Sequence, residues 1–240
     1  MNFALNLVDW QARAPGLSEP TQWSDWAHGC QAIDPTAPQA KLTALPMMTA
    51  RRLASGSRLA VECGLTMLRR HAIDAVLFTS RHGELERNFR ILTSLASRQP
   101  LSPTDFAMSV HNSAVGNLTI AASQPLVSSS LSAGVDTFQQ GLCEVMCLMQ
   151  AGYQRVLMVD FDGALPEFYH GRVPQNMPIF AYAVALVIEP GDALRCQTQP
   201  CAPAPEPALS QSLQFLRHCL RDQSEFTLQG ERMLWHWSRR

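Results

Sequence analysis

Charge is what this chain has least of. Only 16% of its 240 residues are Asp, Glu, Lys or Arg, where soluble domains carry about 25%. Either Ser, Gln and Pro cover the outside, or a partner chain hides part of it; composition leaves both open. Lysine is almost missing, since the 19 basic residues are all arginine except Lys41. Their balance against 20 acidic residues argues against the basic stripe of a nucleic-acid binder. The arginines are scattered apart from the pairs Arg51-Arg52, Arg69-Arg70 and Arg239-Arg240. No apolar run approaches the ~18 residues of a membrane span. Residues 1–15 show no basic start followed by an apolar core, so no secretory signal is read and a cytoplasmic protein is expected.

Catalytic motifs are missing too. There is no G-x-G-x-x-G, no Walker loop, no G-x-S-x-G and no H-E-x-x-H. The seven cysteines include no C-x-x-C, so the zinc-ribbon spacing is absent and reduced cytosolic thiols fit best. No metal or cofactor is expected.

What is present is an alternation of strand and helix patterns. Residues 1–8 alternate with a strand period, Met1, Phe3, Leu5 and Leu7 sharing a face. A long irregular stretch to about residue 47 follows, punctuated by Pro15, Pro20, Pro35, Pro38 and Pro46, with Trp23 and Trp26 spaced for a short helix. Helices are predicted over 57–70, 84–96, 112–122 and 137–151, the last closed by Gly152. An extended lead, 103–110, precedes the third of them. Strands are predicted at 74–79, 128–132, 156–159 and 179–188. Residues 196–207 read as a Pro-rich linker, followed by an amphipathic helix through Leu209, Leu213, Leu216 and Leu220. Residues 233–237 read as a short closing strand or docking tail. The alternation argues for α/β. The expected organisation is one domain over 1–190, a linker over 191–207, and a helix and tail over 208–240 belonging to the same domain.

Taken singly, the chemistry-bearing residues point to structure before function. His111 beside Asn112 reads first as a structural histidine. Cys143 and Cys147, at i and i+4, read as two buried core thiols with no second ligand pair near them. Asp160 and Asp162, in V-D-F-D-G, read as a solvated strand-to-loop turn, with cation binding or an acid pair as the sharper alternatives. His170 and His218 have no evident partner.

The order of elements from residue 101 to 166 says more. Pro103, Asn112 and Gly116 with Leu118-Thr119-Ile120 come first. The strand region up to Val135, the helix 137–151, Gly152 and the buried strand 156–159 follow. This succession resembles the N-terminal half of β-ketoacyl synthases, the thiolase-fold condensing enzymes. Residues 46–70 and 77–83 fit the same layout, and the resemblance covers roughly 45–190. It implies a thiolase-like half-fold, a mixed sheet with flanking helices, plus a C-terminal helix and tail.

Two departures from the family pattern carry meaning. Ungapped spacing from Asn112 to Gly152 puts the family's nucleophilic Cys slot at about Val135, within Ser132-Ala133-Gly134-Val135-Asp136. A valine has no heteroatom with which to form an acyl thioester. The chain also spans about one half of the two-half enzyme, without the second half's two histidines. A ketosynthase-like chain of this kind resembles a chain-length factor. With S-L-S-A-G-V-D-T-F and the following Asp162-Gly163-Ala164-Leu165-Pro166, it resembles the ketosynthase-like subunit of aryl polyene-type clusters.

The resemblance implies a non-catalytic partner of an active ketosynthase in a heterodimer, shaping its acyl tunnel and meeting acyl carrier protein through the complex. His111, Asn112, Val115, Leu118, Val135 and Phe138 are then the expected tunnel or interface positions. Two other readings stand beside it. One is a divergent condensing enzyme or acyltransferase using Cys143 or Ser132. The other is an acyl-carrier-binding module without chemistry, for which Arg51, Arg52, Arg69 and Arg70 are candidates.

Overall fold

The computed structural model describes residues 1–174, 177–206 and 208–240. Strand β1 (Asn2–Arg13) is followed by helices α1 (Pro20–His28), α2 (Met47–Ala50) and α3 (Ser55–Arg70). Strand β2 (Ala75–Thr79) leads to α4 (Leu85–Ala96), α5 (Pro103–Ala107) and α6 (Ser113–Ala122). Then come β3 (Val127–Leu131), α7 (Thr137–Gln150), β4 (Val156–Asp162), β5 (Tyr182–Pro190) and β6 (Leu194–Pro200). Helix α8 (Gln211–Leu220) and strands β7 (Glu225–Gln229) and β8 (Met233–Arg239) complete the order. The α/β class with a mixed sheet and flanking helices is as expected.

The eight strands of the described residues join one sheet in the order β3-β2-β4-β5-β1-β6-β8-β7. Parallel pairing holds β2 between β3 and β4, and every other pair is antiparallel. Residues of β4 and β5 are buried on both faces, which is why their sequences run apolar rather than alternating. One face packs on α1, α7 and α8 through Trp23, Phe138, Leu142, Leu213 and Phe215. The other packs on α3 and α6 through Leu59, Cys63, Val115 and Leu118.

Several local expectations are corrected. β1 does not stop near Val8. Its register against β5 shifts between Leu7 and Asp9. Before that bulge Phe3, Leu5 and Leu7 join the α7-side core, and after it Trp10, Ala12 and Ala14 do. One extra residue swaps the faces, so the period-2 signal ends although the strand continues. Residues 103–110 do not form an extended lead. Pro103 stands at the first position of α5, and the Ser102 hydroxyl accepts from the Asp105 N–H at 3.2 Å.

The Pro-rich stretch is not all linker, because Leu194 to Pro200 is strand β6. Leu194 and Cys196 turn inward while Arg195 and Gln197 turn out, and Cys196 lies opposite Trp237 of β8. The tail is therefore a sheet member, with β7 beside it.

The long segment before α3 is held from below. Glu62 on α3 is fully buried, and its carboxylate accepts the backbone N–H groups of Thr43, Ala44 and Leu45 at 2.7, 3.0 and 2.7 Å. Arg13 of β1 donates to the same carboxylate at 3.3 Å. One side chain thus gives an irregular segment its hydrogen-bond partners.

Candidate functional site

The carboxyl ends of β2 and β4 lie side by side, with Thr79 opposite Asp160. Asp160 and Asp162 share the sheet face of Val156 and Met158, two residues apart along a strand. The expected solvated turn is therefore overturned. Both aspartates are buried, at 4% and 8% exposure, because β4 runs on through Asp162 beneath the starts of α7 and α8.

Each carboxylate has donors. Thr79 Oγ1 donates to Asp160 at 2.6 Å, and a hydroxyl bond from Ser212 reaches it as well. Ser80 Oγ and the His82 N–H donate to Asp162 Oδ1 at 2.7 and 2.8 Å, with the Tyr182 hydroxyl 3.4 Å from Oδ2. Burial still dominates for Asp160, whose carboxyl pKa is pushed up to about 7 against the hydrogen bonds from Ser212 and Thr79. Burial also raises Asp162 and lifts Tyr182 well above the ordinary tyrosine value, and it lowers His82, which favours the neutral imidazole.

Above these carboxylates lies a pocket of about 540 Å³ counted to its open mouth. Its apolar wall includes Val135, Phe138, Met177, Pro178 and Leu209, and its polar wall includes Arg81, His82, Tyr182, Ser210 and Gln211. Arg81 is paired with Glu206 at the rim. Gln211 donates to Asp136 Oδ1 at 2.9 Å and to the Gln229 carbonyl at 3.2 Å. Its own Oε1 is buried with no partner among the described residues.

The six sequence-derived positions are not gathered at one place. Val135 lies in a single 3-10 turn, Gly134–Asp136, ahead of α7, and with Phe138 it lines the pocket. Val115 and Leu118 lie across the sheet, at 3% and 0% exposure, in the core with α3, where Leu118 fills the space left by Gly64. Asn112 occupies the position before α6 without a side-chain cap. His111 belongs to neither group; its Nε2 lies 2.9 Å from the Ser80 carbonyl. Asp136 stands before α7 but makes no side-chain cap there; its carboxylate ties down the C-terminal segment through Gln211 and the Glu231 N–H.

Cys143 is half-buried and Cys147 is exposed, so they are not the two buried thiols expected. Burial pushes the Cys143 thiol up to about 11. His170 and His218 do have partners, the Leu165 carbonyl at 2.9 Å and the Gln223 side chain. Sequence reasoning missed Thr79, Ser80, His82, Tyr182 and Gln211. One signal was readable: two aspartates on one face of a strand that continues a buried run. Among the described residues no group of three or more His, Cys, Asp or Glu side chains is placed to hold a metal ion. Nor is any of their helices long and apolar enough to cross a membrane.

A family model described as the β-ketoacyl synthase N-terminal domain matches residues 23–238. Among solved structures, the chain is similar to one in the complex of the ketosynthase ApeO with its chain length factor ApeC from Xenorhabdus doucetiae. That likeness has 55% identity and a TM-score of 0.94 over 99% of this chain and 100% of that one. The ishigamide ketosynthase/chain length factor is similar at 14% identity and TM-score 0.63, over 82% of this chain and 67% of that one. AntDE:AntF, a type II PKS acyl-carrier protein in complex with its ketosynthase bound to the hexaketide, is similar at 10% identity and TM-score 0.68 over all of both chains. The last two likenesses bear on the fold alone, and the fold is the thiolase-like one of ketosynthases. A search of curated proteins finds no match.

Proposed function

Because the chain belongs to the β-ketoacyl synthase N-terminal domain family, we propose that it acts as a chain-length-factor-like partner of an active β-ketoacyl synthase. The observation that carries this reading is the end-to-end likeness, at 55% identity, to a chain of a ketosynthase and chain length factor complex. The role proposed is to complete a heterodimer and shape the partner's acyl tunnel in polyene- or fatty-acid-type elongation. Acyl carrier protein meets it through that complex.

Two physical features support a partnered surface. Among the described residues, strand β3 is an outer strand of the sheet, paired only with β2. Its sequence, V-S-S-S-L, has neither the charge nor the proline that protects a free edge. Its first residue, Val127, is 46% exposed, and beside the strand Ile120 of α6 is 77% exposed. A large apolar side chain left this bare is ordinary when covered by another chain. In this proposal β3 and the outer face of α6 meet the partner, while Val115 and Leu118 support that face from inside. His111 and Asn112 border it, and Val135 and Phe138 set the bulk at the tunnel end. One methylene too many in such a tunnel costs about 1–3 kcal/mol.

The chain's own nucleophiles are poorly placed for acyl transfer. The turn between β3 and α7 holds no cysteine. Cys143 lies inside α7, and a thiol with pKa about 11 is almost wholly protonated at neutral pH. Ser132 Oγ donates to the Arg81 carbonyl at 3.3 Å, a bond that supplies no base. The test is a cerulenin-type probe applied to this chain together with its co-expressed ketosynthase. Label should appear on the ketosynthase cysteine and not on this chain. Labelling of Cys143 at neutral pH, lost in Cys143→Ala, would overturn the non-catalytic role.

A further inference from the structure

We propose that Cys143 and Cys147 of α7, with the thioether of Met1, form a binding site for one soft monovalent cation, copper(I). None of the three lines the pocket above Asp160, and the test does not depend on the partner reading.

The two thiols come from one helix. Cys143 and Cys147 stand four residues apart in α7, the first half-buried and the second exposed, and both are free thiols. Residues at that spacing share a helix face, with Cβ atoms about 5–6 Å apart. Helices use the same spacing to turn two ligands onto one metal ion.

The third sulfur is an independent observation, because it comes from 142 positions away. Cys143 Sγ donates to Met1 Sδ at 3.3 Å. Met1 is held there by β6. Its ammonium donates to Thr198 Oγ1 at 2.6 Å, and its carbonyl accepts from the Thr198 N–H and Oγ1 at 3.0 and 3.2 Å. Met1 is nevertheless 66% exposed, so an ion can reach its sulfur. Bonds from a metal to thiolate sulfur are about 2.3 Å, which sets two sulfurs on a trigonal ion about 4 Å apart. The present contact has to open only slightly to admit the ion.

The donor set selects the metal. Thiolate and thioether sulfurs favour copper(I). Zinc takes four ligands, usually from Cys, His and carboxylate. Among the described residues no three such side chains are placed to hold it. Two thiolates and one thioether leave zinc a ligand short and complete a three-coordinate copper(I). On binding, each thiol releases its proton to solvent and its sulfur lone pair bonds the ion. Copper stays copper(I), so no oxidant or reductant is consumed. The N-terminal ammonium on Thr198 offsets the surplus negative charge of the two thiolates.

The test is titration of the reduced 240-residue chain with copper(I), kept reduced by ascorbate without oxygen, in competition with bathocuproine disulfonate. The chain should withdraw one ion from the chelator, and zinc(II) should not replace it. Copper(I) should protect Cys143 and Cys147 from iodoacetamide while exposed Cys30 is still labelled, a readout that needs no variant. Cys147→Ser, at an exposed position, should weaken binding at least about a hundredfold with the melting temperature of the metal-free chain kept. Asn2→Ala, which lets an aminopeptidase remove Met1, should weaken it about tenfold once the intact mass confirms the removal. Cys30→Ser should change nothing. Copper(I) should raise the melting temperature of the unaltered chain and not that of Cys147→Ser. Copper(I) spread over several cysteines without protecting this pair, a Cys147→Ser variant that binds as before, or removal of Met1 without effect would each overturn the assignment.

Discussion

Replacing Asp160 with Asn should stabilise the protein at pH 8 and leave it nearly unchanged at pH 4. The reason is the cost of keeping a charge at a site that is 4% exposed. In the unfolded chain the carboxyl titrates near 3.9, and in the folded protein burial raises it to about 7. Below about pH 4 it is neutral in both states and folding carries no penalty. As pH rises the unfolded chain gains by ionising while the folded protein does not. Stability present at low pH is therefore lost progressively until about pH 7, where the folded carboxyl ionises too. The interval between the two values corresponds to about 4 kcal/mol, an upper figure because Asp162 titrates against the same site.

Asn keeps an oxygen for Thr79 Oγ1, 2.6 Å away in the native pair, and never ionises. The expected result is a wild-type stability that falls between pH 4 and 7, set against a flatter curve for the variant. At pH 8 the gap should approach several kcal/mol, or roughly 2–4 °C in Tm for each. Urea unfolding at pH 4.5, 6, 7 and 8 measures it. A variant less stable than wild type by the same amount at every pH would refute the reasoning, because Asp160 would then be ionised and fully satisfied by its neighbours.

Two further outcomes test the packing account. Glu62→Gln should destabilise by about 3–5 kcal/mol, since it removes a buried charge that Arg13 and three backbone N–H groups share. Burial opposes ionisation of Glu62, but these bonds outweigh it and hold the pKa below the ordinary glutamate value. The loss should therefore be full above about pH 5 and fade as pH falls through that lowered pKa, with faster amide exchange at residues 43–45. Gly56→Ala should cost about 1–3 kcal/mol in urea unfolding, because its Cβ would lie 2.5 Å from the Gly163 nitrogen and 2.6 Å from the Asp162 carbonyl carbon, both backbone atoms.

Much of the fold was legible because the middle of the chain keeps one period per element. The helices α3, α4, α6 and α7 and the strands β2, β3 and β4 fall within a few residues of their expected places. The losses have physical causes. A bulge after Leu7 ended the alternation of β1 before the strand ended. Prolines in Cys196–Pro207 hid β6, although Pro200 stands at its last position, where no further strand bond is needed. The candidate pocket was not legible as a site. Its floor is made where Thr79 and Asp160, 81 positions apart, come into register. Its walls come from the starts of α7 and α8, which meet only once the C-terminal strands close. Charge poverty, by contrast, was informative from the start. It fits a chain whose outer strand and neighbouring helix face carry Val127 and Ile120 uncovered.

The central claim, that this chain completes a ketosynthase, is tested most directly by co-expression with a cysteine-containing ketosynthase and measurement of the mass of what co-purifies. The account predicts a stable one-to-one complex. It also predicts that Ile120→Asp, at an exposed position that contributes little to the fold, disrupts the complex without lowering the melting temperature of the chain. A well-behaved monomer that gains no partner, or a complex indifferent to Ile120→Asp and to a proline placed at Ser129 of β3, would contradict it.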